Sequence, residues 1–113
     1  EDPGRGANLA SELTSTVAPW LGLVSISLDV SPAAGRFGAP VSTTGGILLQ
    51  EGLAFACGQA AAVHVTVGVY DIDGRIEFHI HHDGHALLEN DLPPDARWRS
   101  SNDGLDLVTA LAY

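Results

Sequence analysis

The segment 63-VHVTVGVYDIDGRIEFHIHH-82 constrains the fold more than any other stretch of the chain. Apolar and polar residues alternate on both sides of an Asp-Gly pair, the period of a half-buried strand and the dipeptide of a tight hairpin turn. Centring the turn on Asp73-Gly74 pairs Val69 with Phe78, Val67 with Ile80 and Val65 with His82. In that register one face is apolar, and Tyr70, Glu77, Gly68, His79, Thr66 and His81 fall on the other. A slip of one residue would exchange the faces, so the pattern fixes the pairing. A chain of 113 residues built round such a hairpin holds one modest core and one domain.

The other elements are read around it. Residues 1–8, with Pro3, Gly4 and Gly6, form a flexible lead-in. Leu9, Leu13, Val17 and Trp20 recur at helical spacing and predict a helix up to Ala18, ahead of Pro19. The alternating run 23-LVSISLDV-30 predicts a strand, ended by Pro32. Residues 31–46 are rich in turn formers, with a helix start at 40-PVSTT-44 as an option. A helix over 47–60 carries the stripe Leu49, Leu53, Ala56 and Ala60, and its Gly52 and Gly58 point to close packing against another element. Residues 84–103 are expected as a long loop of lid or binding type. The end, 102-NDGLDLVTALAY-113, is expected as a short apolar helix capped by Asn102 or Asp103. The order helix, strand, helix, hairpin, loop, helix predicts an α+β two-layer sandwich, a mixed sheet covered by helices on one face.

Apolar residues make up 45% of the chain against 17% charged, the balance of a folded protein. With 14 acidic and 5 basic residues the net charge is −9, which repels phosphate backbones and anionic lipid. Nucleic acid and membrane are therefore excluded as partners, and a protein partner is expected. No apolar run approaches the ~20 residues that span a bilayer, so a cytoplasmic location is expected. Cys57 has no disulfide partner and reads as a small buried hydrophobe. With no methionine and no tag, the chain reads as a piece of a longer protein.

The stretch 79-HIHHDGHAL-87 raises the question of a metal. His79 and His81 point the same way on a strand, with His85 or Asp83 as third members of a zinc set. They lie on the face assigned to solvent, however, and no helical histidine pair or cysteine completes the set, so exposure is the preferred reading. His82 differs. It falls on the core face at the end of the strand, ahead of Asp83-Gly84, where a pocket would open.

The motifs 50-QEGLAFACGQA-60, 61-AAVHVTV-67, 82-HDGHAL-87, 92-LPPDA-96 and 103-DGLDLV-108, in this order, resemble one family over residues 9 to 112. It is the GHKL ATP-binding domain of two-component sensor histidine kinases, of the nitrate- and oxygen-sensor type. The resemblance implies the histidine kinase-like ATPase fold over residues 9–113, with ATP and Mg²⁺ as the family's ligands. It implies Glu51 as the reaction-site acid/base, and it places Phe55, His82, Gly84, Ala86 and Gly104 in the nucleotide pocket.

Most of those positions depart from the family pattern. Phe55 stands where an Asn would offer oxygen to Mg²⁺. His82 replaces the Asp that accepts from the adenine amino group, and Gln59 stands at a position often held by His. Ala86 replaces a glycine, while Asp103 and Asp106 put negative charge near the expected phosphates, the wrong sign for a helix N-terminus that binds anions. A one-residue shift would make Asp83 the adenine partner, but the pairing register turns Asp83 off the core face. The leading expectation is a fold kept and a nucleotide site eroded: a pseudokinase-like signalling domain without cofactor, acting on a kinase dimer partner or a response regulator. The alternatives are an active ATP-dependent kinase domain with altered contacts and a histidine-rich zinc module. The two strands that close the family's domain, its phosphoacceptor histidine and its dimerisation helices are expected to be missing, leaving the domain truncated at its C-terminus.

Overall fold

A computed structural model describes residues 8–113. Residues 1–7 of the expected lead-in lie outside the described residues, and Asn8 caps the first helix. Helix α1 (Leu9–Val17) opens with a capping box. Asn8 Oδ1 accepts from the Ser11 N–H at 2.9 Å, and Ser11 Oγ accepts from the Asn8 N–H at 3.0 Å. Its buried stripe is Leu9, Leu13 and Val17, and Pro19 falls in the 3₁₀ turn Ala18–Trp20 that follows.

Strand β1 (Ser25–Val30) leads through a single turn, α2 (Pro32–Gly35), to α3 (Val41–Leu53), which runs on as a π-helical turn over Ala54–Gln59. Helix α3 thus starts at the Pro40 option and not at residue 47, with Pro40 as its N-cap. The hairpin is β2 (His64–Ile72) and β3 (Arg75–His82). It is followed by β4 (Arg99–Ser101) and β5 (Asp106–Ala112). The five strands form one sheet in the order β1-β2-β3-β5-β4, with β1 parallel to β2 and the other pairs antiparallel. The hairpin register is the one the alternation demands: Val65 faces His82, Val67 faces Ile80 and Val69 faces Phe78. Asp73 and Gly74 have φ of 51° and 81°, the left-handed pair that a two-residue turn of this twist requires.

One face of the sheet is buried by the helices. Val67, Val69, Ile76, Phe78, Ile80 and Leu107 meet Leu9, Leu13, Leu49 and Leu53, all fully buried. Each such side chain contributes roughly 1.5–3 kcal/mol relative to exposure. Trp98 completes this core, its indole N–H donating to the Leu48 carbonyl at 2.9 Å and its ring meeting Phe78 edge-on at 6.5 Å. Gly52 is the contact point on α3, since a Cβ there would stand 2.6 Å from both Ile80 Cδ1 and Trp98 Cζ2. Gly58 faces open space, so only the first of the two glycines serves close packing. Cys57 is half-buried at the margin of the core and not inside it, and burial pushes its thiol pKa up.

Two expectations for the last third are corrected. The final segment is the strand β5 and not a helix, because Leu107, Thr109 and Leu111 pair with Ile80, Phe78 and Ile76 on the core face of β3. The buried Thr109 hydroxyl is satisfied by the Arg97 carbonyl at 2.7 Å. Asn102 and Asp103 are not helix caps. With φ of 53° and 54°, and Gly104 at 88°, they make a left-handed turn from β4 into β5, a conformation these residue types tolerate best.

The segment between β3 and β4 is likewise not an open lid. Leu87, Leu92, Ala96 and Trp98 bury their side chains in the core. Two carboxylates tie its backbone: Asp91 accepts from the Leu88 N–H and Glu89 from the Ser100 N–H, each at 2.9 Å. Among the described residues no helix is long and apolar enough to cross a membrane.

Candidate functional site

The end of β3 places His82, and the hairpin register turns its side chain inward, where it is 1% exposed. Both ring nitrogens have backbone partners. Nδ1 accepts from the Gly84 N–H at 3.1 Å and Nε2 lies 3.0 Å from the Gly104 carbonyl. An amide N–H can only donate and a carbonyl can only accept, so this arrangement requires the neutral ring with its proton on Nε2. The imidazole links the end of β3 to the turn before β5, and neither nitrogen is left free for a ligand.

Gly84 and Gly104 flank it, closed against the chain itself, and the exposed Ala86 lies against Gly104. A Cβ on Gly84 would come within 2.2 Å of the Ala60 carbonyl oxygen, and the His85 N–H donates to that same oxygen at 2.7 Å. A Cβ on Gly104 would meet the Leu87 nitrogen at 2.7 Å and the Ala86 methyl at 2.9 Å. The Leu87 N–H donates to the Gly104 carbonyl at 2.9 Å, closing the same contact from the other side. The close approach that glycine permits is used by the protein's own backbone. Shallow surface clefts of about 220 to 470 Å³ open elsewhere and are lined by other residues.

The helix side of the expected site is α3 and its π-helical end. Phe55 is buried in the core, while Gln59 is exposed. Glu51, one helical turn before Phe55, is half-buried; its Oε1 has no hydrogen-bond partner, and the nearest cation is Arg97 Nε at 3.9 Å. These residues do not fit a Mg²⁺–nucleotide. Phe55 has no oxygen for the cation, both glycine cradles are filled, and β5 stands where a helix N-terminus was to receive phosphates.

The outward histidines follow a different pattern. His79 Nε2 lies 3.1 Å from Glu77 Oε1, and His81 Nδ1 lies 2.5 Å from Asp106 Oδ1. His85 is exposed, and among the described residues no group of three or more His, Cys, Asp or Glu side chains is placed to hold a metal.

The sequence offers Asp83 as a third zinc ligand or as a shifted adenine partner; the structure gives it a different role. Its Oδ1 accepts from the Val63 and His64 N–H groups at 2.8 and 2.9 Å, and its Oδ2 lies 2.8 Å from His64 Nδ1. The His64 N–H, then the His64 ring and the Val63 N–H, hold this carboxyl well below the ordinary range. A signal for it existed, because the pairing of Val65 with His82 sets His64 opposite Asp83.

No protein-family model and no curated protein matches the sequence. Among solved structures it is similar to the blue-light activated histidine kinase of Erythrobacter litoralis EL346, with a TM-score of 0.69 and 14% identity over 93% of this chain and 42% of that one. The chain therefore spans less than half of that kinase. It is also similar to the ATP binding domain of PrrB from Mycobacterium tuberculosis, with a TM-score of 0.66 and 14% identity over 94% of each chain. A third likeness is to a nucleotide-free catalytic domain of the histidine kinase ThkA, with a TM-score of 0.68 and 11% identity over 93% of each. At these identities the likeness is one of fold: the chain has the α+β fold of histidine kinase ATP-binding domains.

Proposed function

We propose that residues 9–113 are the ATP-binding-type domain of a two-component sensor histidine kinase, of the nitrate- or oxygen-sensor kind, that has kept the fold and lost the nucleotide. It then signals from the cytoplasm through contacts with a kinase dimer partner or a response regulator. The observation that carries this reading is the commitment of His82. An adenine amino group needs an acceptor, and the one acceptor nitrogen of this ring is already used by the Gly84 N–H. The apolar Phe55 and the backbone packed against Gly84 and Gly104 support the same reading.

One observation favours a second reading, an active domain with Glu51 as reaction-site acid/base. Its Oε1 lacks a hydrogen-bond partner and so has a lone pair to offer. Calorimetric titration with ATP and Mg²⁺ separates the two. The expected result is no saturable uptake at micromolar nucleotide; saturable micromolar binding would overturn the first reading in favour of the second.

A further inference from the structure

We propose that the open face of the sheet carries a binding site for an extended acidic segment of a protein partner, independent of the positions round His82. The chain has only five basic residues, all arginine, in a molecule of net charge −9. Three of them, Arg75, Arg97 and Arg99, line one cleft of about 460 Å³ whose floor includes Val108 and Ala110. Glu77 is the only acidic residue lining it, so the cleft is locally positive on an acidic protein. Such a focus of opposite sign steers an anionic partner to one place while the rest of the surface repels it.

The arginines keep donors to offer. Arg97, on the edge of the sheet, is exposed and makes only a loose ion pair, its Nε 3.9 Å from Glu51 Oε1 of α3. Arg75 gives two N–H groups to Glu77 Oε2, at 3.1 and 2.8 Å. Arg99 uses one terminal nitrogen on the Ala96 and Trp98 carbonyls, at 2.9 and 3.2 Å. A guanidinium has five N–H donors in a fork that matches a carboxylate; each of these two retains some of them.

Spacing selects the ligand. Arg75 lies opposite Ala112 and Arg99 opposite Val108, which sets Arg97 beside Ala110. Strand geometry then puts the backbones of Arg75 and Arg97 about 12 Å apart and those of Arg97 and Arg99 about 7 Å apart. The Arg97–Arg99 separation matches the repeat of about 7 Å between alternate residues of an extended chain, and Arg75, about 12 Å from Arg97, calls for a carboxylate on a different residue of the same segment.

The test is fluorescence anisotropy with a labelled hexaglutamate peptide at low ionic strength. Saturable binding is expected that weakens as salt rises and is absent for hexaglutamine. Arg75→Gln and Arg97→Gln, both exposed, each weaken it about two- to fivefold, the range of single solvent-exposed ion pairs, whereas Arg36→Gln, outside the cleft, leaves it unchanged. Amide NMR shifts induced by the peptide should centre on Arg75, Arg97 and Val108. The proposal is overturned if binding is absent, if Arg36→Gln weakens it as much as Arg75→Gln, or if inorganic phosphate displaces the peptide at equal concentration. Self-association in sedimentation that is lost in Arg75→Gln/Arg97→Gln would put a second copy of the chain in the cleft, and would overturn it as well.

Discussion

The two faces of β3 carry histidines in contrasting settings. His81, on the open face, is exposed and lies 2.5 Å from a carboxylate of the neighbouring strand, Asp106. His82, the next residue, is buried and holds a backbone N–H and a backbone carbonyl from two different loops. Loss of the first deletes a contact that water can replace. Loss of the second leaves the part-buried Gly84 N–H without its acceptor and removes one of the two donors that face the buried Gly104 carbonyl. A count of histidines therefore says little about this protein, while the groups each ring faces say a great deal.

The contrast can be broken in steps of decreasing size. His82→Ala should cost about 2–4 kcal/mol, combining a lost buried ring with an unpaired N–H at Gly84. Urea unfolding measures it, and a cost below about 1 kcal/mol, less than one unsatisfied buried group, would show that the ring links nothing. Asp83→Asn should act mainly on pH dependence. The folded pKa of Asp83 is depressed, so its stabilisation is full above the unfolded carboxylate value of about 3.9 and is lost as pH falls through the lower folded value. The variant should flatten that acid limb, and an unchanged limb in acid-unfolding curves would remove Asp83 from the account. His81→Ala should be the smallest, within about 0.5 kcal/mol, as for surface positions generally. A cost comparable to that of His82→Ala would erase the distinction between the faces.

Legibility in the sequence followed the strength of the local pattern. The hairpin was readable to the residue because alternation and an Asp-Gly turn agreed, and a slip would have exposed the apolar face. Strand β5 was not. The segment 102-NDGLDLVTALAY-113 has Asn and Asp ahead of an apolar run, which reads equally as a helix cap or as a left-handed turn. The strap from 84 to 98 looked like a lid because its buried residues, Leu87, Leu92, Ala96 and Trp98, follow neither helical nor strand period. At the candidate site, the sequence marked His82, Gly84, Ala86 and Gly104 as belonging together, and the fold does gather them. That they close on one another and on Ala60 was not readable, because the contacts join residues from 17 to 24 positions apart.

By itself the sequence determined the two-layer α+β class, the β2–β3 register and the acidic surface, since periodicity and charge act through neighbours along the chain. The tertiary structure alone decided that the last segment is a strand, that both nitrogens of His82 are bound by backbone, and that three arginines share one cleft. Each depends on which distant strands lie side by side, and that pairing is set by burial of the whole core.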